Sequence, residues 1–205
     1  MSDGLAAGPD GAPRCAWATS APEYVAYHDD EWGRPVTGED ALYERLVLEG
    51  FQSGLSWITI LRKRERFRTA FARFEIDRVA EFGDDDVARL LQDAGIVRHR
   101  GKIEAAIDNA RAARELHARG ETLRELIWSH APAQRPAPRT TAEVPATTPE
   151  STALSKALKA RGFRFVGPTT LYAAMQACGV VNDHLAGCAV RDEVERLYEE
   201  GRDGA

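Results

Sequence analysis

The chain has 205 residues, 43% of them apolar, and a formal net charge of −5. That is enough for one domain with a real core. The acidic balance excludes nucleic-acid binding by bulk positive charge, so any such contact has to be a local patch.

The opening stretch MSDGLAAGPDGAPR lacks the apolar core of a signal peptide, and residues 1–13 read as a flexible Gly/Pro/Ala-rich tail. No strand pattern is convincing, and no apolar run is long enough to span a bilayer. Between Trp57 and Phe74, apolar residues at Trp57, Ile60, Leu61, Phe67, Ala70, Phe71 and Phe74 keep helical spacing, with Ser56 placed to cap. DDDVARLLQDAG predicts a helix from an Asp84 cap to Gly95. GKIEAAIDNARAARELHARG puts Ile103, Ala106, Ile107, Ala110 and Ala113 on one stripe and stops at Gly120. TLRELIWSH is a short helix. Residues 131–150 carry five prolines and predict a surface loop. A helix resumes at Ser151, and GPTTLYAAMQACG predicts another from Pro168 to Gly179. Residues 191–205 read as a polar tail with a fraying helix. The class is all-α, with one domain over 14–190.

The three cysteines are Cys15, Cys178 and Cys188. An odd count without a signal argues against a disulfide framework and points to metal binding or burial in a cytoplasmic protein. Cys15 and His28 form a Cys-x12-His pair; His184 and Cys188 form a His-x3-Cys pair that would share one helix face. Two thiols and two imidazoles make a closed tetrahedral set suited to structural zinc, clasping the two ends of the chain. The alternative is buried thiols and hydrogen-bonded histidines. Cys178 lies in an apolar stripe and reads as an inert core thiol.

Glu49 follows Leu46, Val47 and Leu48, and a carboxylate in an apolar run is either at an exposed helix end or functional. Trp17, Tyr24, Tyr27, Trp32 and Trp57 are five large aromatics in two segments. They make either a core cluster or a stacking pocket for a flat ligand.

RCAWATSAPEYVAYHDDEWG, LEGFQSGLSWITILRKRERFRTAF, DAGIVRHRGKIEAAIDNARA and LSKALKARGFRFVGPTTLYAAMQACGVVNDHLAGC together resemble the 3-methyladenine DNA glycosylase I family, over about residues 14 to 188. The resemblance implies a helix-hairpin-helix glycosylase fold. It implies one structural zinc held by Cys15, His28, His184 and Cys188, and a base pocket of Trp17, Tyr24, Tyr27, Trp32, Glu49 and Trp57. Gly54 and Leu55 take the wedge position that fills the gap left by a flipped nucleotide. Gly167, Pro168 and Thr169 take the hairpin position facing a DNA phosphate. VRHRGK and RKRERFR are either local basic contacts or ordinary solvated helix faces.

The implied reaction is hydrolysis of the N-glycosidic bond of 3-methyladenine, with 3-methylguanine a weaker second substrate, in alkylated double-stranded DNA. It leaves an abasic site and free base. Glu49 is the catalytic candidate, reading the cationic edge of the base. The family lacks the aspartate that many hairpin glycosylases place after the hairpin; Asp183 is read as orienting the zinc site or capping a helix. No lysine sits where a lyase nucleophile would, so the reading is monofunctional; a monomer is expected. A zinc-stabilised binding module, or an enzyme of the same fold acting on another damaged base, are the alternatives; the module leaves Glu49 among aromatics unexplained. Both ends of the chain lie outside the resemblance.

Overall fold

The computed structural model describes residues 4–203, with side chains through Glu199. Among these, ten helices carry the chain: α1 (Pro22–Asp30), α2 (Glu39–Gln52), α3 (Trp57–Ala70), α4 (Ile76–Ala80), α5 (Asp84–Gln92), α6 (Arg100–Ala118), α7 (Leu123–Trp128), α8 (Pro149–Ala160), α9 (Pro168–Ala177) and α10 (Arg191–Asp203). The all-α expectation holds. No helix is long and apolar enough to cross a membrane.

The core forms where apolar stripes at helical spacing meet. α2 buries Leu42, Tyr43, Leu46, Val47 and Phe51. α9 is apolar on most of its circumference and buries Leu171, Tyr172, Ala174, Met175 and Ala177, packing between α2 and α8. α6 spans about 28 Å at 1.5 Å per residue. Its alanines at 105, 106, 110, 112 and 113 allow close approach of its neighbours, and the Tyr43 hydroxyl donates to Ala106 O at 2.8 Å. α8 begins at Pro149, two residues before the expected Ser151, because Thr148 and Ser151 form a reciprocal cap with Pro149 at the first helical position. α5 is capped by Gly83, whose N–H donates to the Asp86 carboxylate, and Asp84 is its first helical residue.

Three expectations change. The sequence of residues 1–13 reads as a flexible tail. Within the described part, Leu5–Ala7 (β1) pairs antiparallel with Pro13–Cys15 (β2), Leu5 opposite Cys15. Such a three-residue hairpin is too short to show a period in sequence. The helix expected to run from Trp57 to Phe74 ends at Ala70, and Ala72, Arg73 and Phe74 all take left-handed backbone (φ 49°, 59° and 59°). That costs about 1–2 kcal/mol per residue. It is offset by seating Phe74 against Phe71, ring centroids 5.6 Å apart, in a cluster with Phe51 and Phe67. The polar tail from 191 is α10, amphipathic rather than uniformly polar, with Val194 and Tyr198 buried.

Gly179 is required by a close approach. Its φ is +70°, and a Cβ there would lie 2.5 Å from the Arg34 carbonyl carbon. This contact lets the segment after α9 pass beside the turn following α1, which brings the two ends of the chain together.

Candidate functional site: an aromatic pocket beside a cysteine–histidine cluster

Trp17 sits in a 3-10 turn at Ala16–Thr19, directly after Cys15. Tyr24, Tyr27 and His28 lie on one side of α1, three and four residues apart. Trp32 follows in the turn after α1. Glu49 is on the third turn of α2, and Trp57 opens α3. All six expected base-pocket residues line one cavity of about 470 Å³, within the range of small-molecule sites. Trp17 stands edge-on to Tyr24 (5.4 Å) and Trp32 (5.1 Å), and Tyr27 tilts against Trp57 at 5.4 Å. These rings form a wall for a flat ligand. Gln52, Gln176 and Asp183 also line the cavity, and sequence reasoning assigned them no part in it. Gln176, a polar residue on the apolar α9, was the available signal.

Glu49 is 5% exposed, so the reading of a solvated helix end falls. Burial pushes its carboxyl up to about 8, against the pull of Arg45 one turn earlier. Burial also raises the Tyr27 hydroxyl, with Glu49 adding to the shift. Glu49 therefore holds its proton at neutral pH, and a cation beside it would draw out the carboxylate form.

Asp183 was expected to orient the metal cluster or cap a helix. Instead it accepts from the Tyr172 hydroxyl at 2.5 Å, from Gln176 Nε2 at 2.8 Å and from Arg135. A carboxylate so fully engaged is fixed as part of the cavity wall.

Cys15 Sγ, His28 and Cys188 Sγ have their ligand atoms within 4.8 Å of one another, all buried. His28 Nε2 lies 3.5 Å from Cys188 Sγ. His184, the fourth expected ligand, is not one of these three but lies beside them: its ring centroid is 4.7 Å from that of His28, and its Nε2 is buried with no hydrogen-bond partner. His184 and Cys188 do not share a helix face. Residues 182–190 are turns, with Gly187 at φ +87°, and bring the pair together by loop geometry.

The outer nitrogens are held. His28 Nδ1 pairs with Asp29 Oδ1 at 2.7 Å, and Asp29 in turn accepts from the buried Arg14. His184 Nδ1 contacts Asn182 Oδ1 at 3.0 Å. Both imidazoles thus turn Nε2 inward, the arrangement that metal-ligating histidines need. Burial, with His28 adding, pushes His184 down to about 4, leaving the neutral form. The Cys15 thiol donates to Cys188, which lowers the Cys188 pKa and holds that of Cys15 up. Two sulfurs and two imidazoles, one of them with an orphaned buried Nε2, have the donor chemistry of a tetrahedral metal site. Trp32 stacks on His28 and meets His184 edge-on, so the cluster supports the aromatic wall directly.

Leu55 is 42% exposed on a turn in which Gly54 has φ +81°. Gly167 caps α9 with Pro168 in its first turn, and Thr169 is exposed. A Cβ on Gly167 would meet nothing nearer than Thr170 Oγ1 at 3.9 Å, so nothing inside the protein demands glycine there. The basic runs resolve differently. Arg62, Arg64, Arg66 and Arg68 are paired with Glu23, Glu31, Asp93 and Glu44. Lys102 is buried, its ammonium donating to Phe51 O and Ser53 O.

Residues 17–192 match the family model for methyladenine glycosylase. The chain is 53% identical over 178 residues to DNA-3-methyladenine glycosylase 1 of Escherichia coli strain K12, covering 85% of this chain and 95% of that one. A crystal structure of a 3-methyladenine DNA glycosylase I superposes with a TM-score of 0.83 at 50% identity, over 86% of this chain and 98% of that chain. A second, of a Tyr-to-Phe variant in complex with 3-methyladenine, gives a TM-score of 0.81 at 34% identity, over 87% and 97%. The fold and cavity are those of a helical DNA-repair glycosylase, a hydrolase of N-glycosyl bonds. The chain belongs to the methyladenine glycosylase family.

Proposed function

We propose that the protein excises 3-methyladenine from alkylated double-stranded DNA by flipping the nucleotide into the aromatic cavity and hydrolysing its glycosidic bond. The observation that carries this reading is a buried carboxyl, Glu49, in an otherwise aromatic cavity. An adenine methylated at N3 within DNA is cationic. Indole faces attract it by roughly 0.5–2 kcal/mol. A carboxylate accepting from its exocyclic amine favours the cation over neutral adenine. Alkylation also makes the base leave as a neutral molecule, so acid–base assistance matters less than recognition. Trp17, Tyr24, Tyr27, Trp32 and Trp57 hold the base and keep water off its faces. Glu49 reads its charged edge.

A duplex base is reached only after flipping. Leu55, exposed on its turn, fills the vacated stack. The N-terminus of α9 at Gly167, Pro168 and Thr169 receives a phosphate in a helix-hairpin-helix arrangement with α8, which provides the local attraction that net charge does not. Cys15, His28, His184 and Cys188 hold one zinc ion, whose closed coordination makes it structural. The protein acts as a monomer in the cytoplasm and generates an abasic site without cleaving the strand.

The test is release of free 3-methyladenine from a methylated duplex, followed by chromatography of the released base and a check of strand continuity. Free base with an intact abasic strand is expected; no released base from the folded, metal-loaded protein overturns the reading. In the same system Leu55→Ala is expected to weaken binding of a duplex with an abasic-site analogue by about tenfold, from loss of a buried leucine's apolar surface. Titration with free 3-methyladenine is expected to be unchanged. Equal losses in the two assays would show Leu55 to be a packing residue.

A further inference from the structure

Only two large apolar side chains are exposed among the described residues: Leu55 at 42% and Phe165 at 38%. Nothing in the proposed function uses Phe165. Its backbone is left-handed, at φ +55°, a conformation that a bulky aromatic rarely adopts. Such strain persists only where the surroundings over-determine it, and it concentrates at functional positions.

The surroundings here are specific. Asn109, buried on α6, donates from Nδ2 to Arg164 O at 3.0 Å and accepts from Arg164 N at 2.7 Å. Ser155, buried on α8, donates to Val166 O at 2.6 Å. The residues on both sides of Phe165 are therefore pinned by buried polar side chains.

The same face of α6 holds the Leu55 turn. Lys102 lies two helical turns before Asn109, and its ammonium donates to Phe51 O at 2.9 Å and Ser53 O at 2.6 Å. A third contact joins the two turns: a Cβ on Gly50 of α2 would sit 3.4 Å from Phe165 Cβ, so Phe165 lies over the last turns of the helix that leads to Leu55. One helix face thus uses two buried polar side chains to present two exposed apolar ones.

We propose that Phe165 is a second apolar contact with duplex DNA, set beside Leu55 and presented by Asn109 and Ser155, with Lys102 fixing the companion turn. DNA is the occupant that the position favours. Phe165 lies two residues before Gly167 and the N-terminus of α9. Its ring meets His99 edge-on at 6.4 Å, in a segment where Arg98 and Arg100 are exposed. The inference rests on the reading that Leu55 and α9 face the duplex. Phe165 packs against a sugar or an unstacked base on the rim of the site, and it does not enter the base cavity, which it does not line.

The test uses the metal-loaded full chain, a duplex carrying one abasic-site analogue, and free 3-methyladenine. Phe165→Gly relieves the left-handed strain while removing the ring, so the protein is expected to stay folded. Its duplex affinity is expected to fall about tenfold, with 3-methyladenine affinity unchanged. Phe165→Leu, which keeps apolar bulk, is expected to retain most of the duplex affinity. Duplex binding by Phe165→Gly at the wild-type level overturns the proposal and assigns the ring to another surface. Parallel loss of duplex and free-base binding also overturns it, by making Phe165 a structural residue. Failure of the wild type itself to bind the duplex or excise would instead defeat the glycosylase reading.

Discussion

Excision is expected to rise with pH through a midpoint near 8 to a plateau above it, while binding of the released base falls through the same midpoint, and both limbs are expected to vanish in Glu49→Gln. The cause is the carboxyl that burial holds up to about 8. The groups around it are Arg45, which pulls the other way, and Tyr27 and Cys178, both raised by burial and so neutral near pH 8. The substrate base is already cationic and takes the ionised carboxylate, so below pH 8 Glu49 must first lose its proton. The departed base is neutral, and its complex needs the proton that Glu49 still holds below pH 8. Hydrogen bonds to charged groups contribute roughly 1.5–3 kcal/mol. Glu49→Gln is therefore expected to lower excision by about 10- to 100-fold, and affinity for the neutral free base by about 2- to 10-fold, the range for a bond between neutral groups. The same substitution should stabilise the fold. The folded carboxyl keeps its proton to about 8 and the unfolded one releases it near 4.5, so stability falls as pH rises across that window. Glutamine has no such deficit. The thermal midpoint of Glu49→Gln is expected to gain on the wild type from pH 5 to pH 8 and then hold its lead. A constant difference across that range would show that Glu49 is not held protonated.

Removal of the metal, or His184→Ala, is expected to lower the thermal midpoint by roughly 10 °C or more, since a closed site contributes its binding energy to folding. Cys15 ends β2, His28 is on α1, and His184 and Cys188 lie in the turns before α10, so an ion held there would tie together three segments of the chain. Without it, two buried thiols and an orphaned imidazole remain beside Trp32. Loss of excision should follow loss of structure, because the aromatic wall leans on the cluster. Cys178→Ala is the control: Cys178 belongs to the main apolar core, so metal content should stay at one per chain. Differential scanning calorimetry with elemental analysis reads both quantities. A folded, metal-free protein with an unchanged midpoint would remove the clasp from the account.

Sequence showed the helices whose stripes are long and whose ends are punctuated. α6 and α9 were visible from apolar spacing closed by Gly120 and Gly179, and α8 from the apolar spacing that resumes at Ser151. α1 and α2 were harder to see. Pro22–Asp30 mixes aromatics with charges, and Gly50 reads as a breaker although it lies within α2 under Phe165. The left-handed turn at 72–74 had no local signal, because its stabilisation comes from rings distant in sequence. The pocket aromatics were conspicuous by their density near Cys15. Asp183 and Lys102 were misjudged for one reason. Each is a charged residue whose partners, Arg135 and the carbonyls of Phe51 and Ser53, are brought to it only by the fold.

The central claim is that the cavity selects alkylated adenine by charge and shape. The most direct measurement is a calorimetric titration of the metal-loaded protein at pH 7 with 3-methyladenine and, separately, with adenine. The account predicts that 3-methyladenine binds at least about tenfold more tightly, because its methyl group is buried among the rings and its unprotonated ring nitrogens accept from the Glu49 carboxyl, and that Glu49→Gln narrows the ratio. Equal affinity of the wild-type protein for the two bases would contradict it.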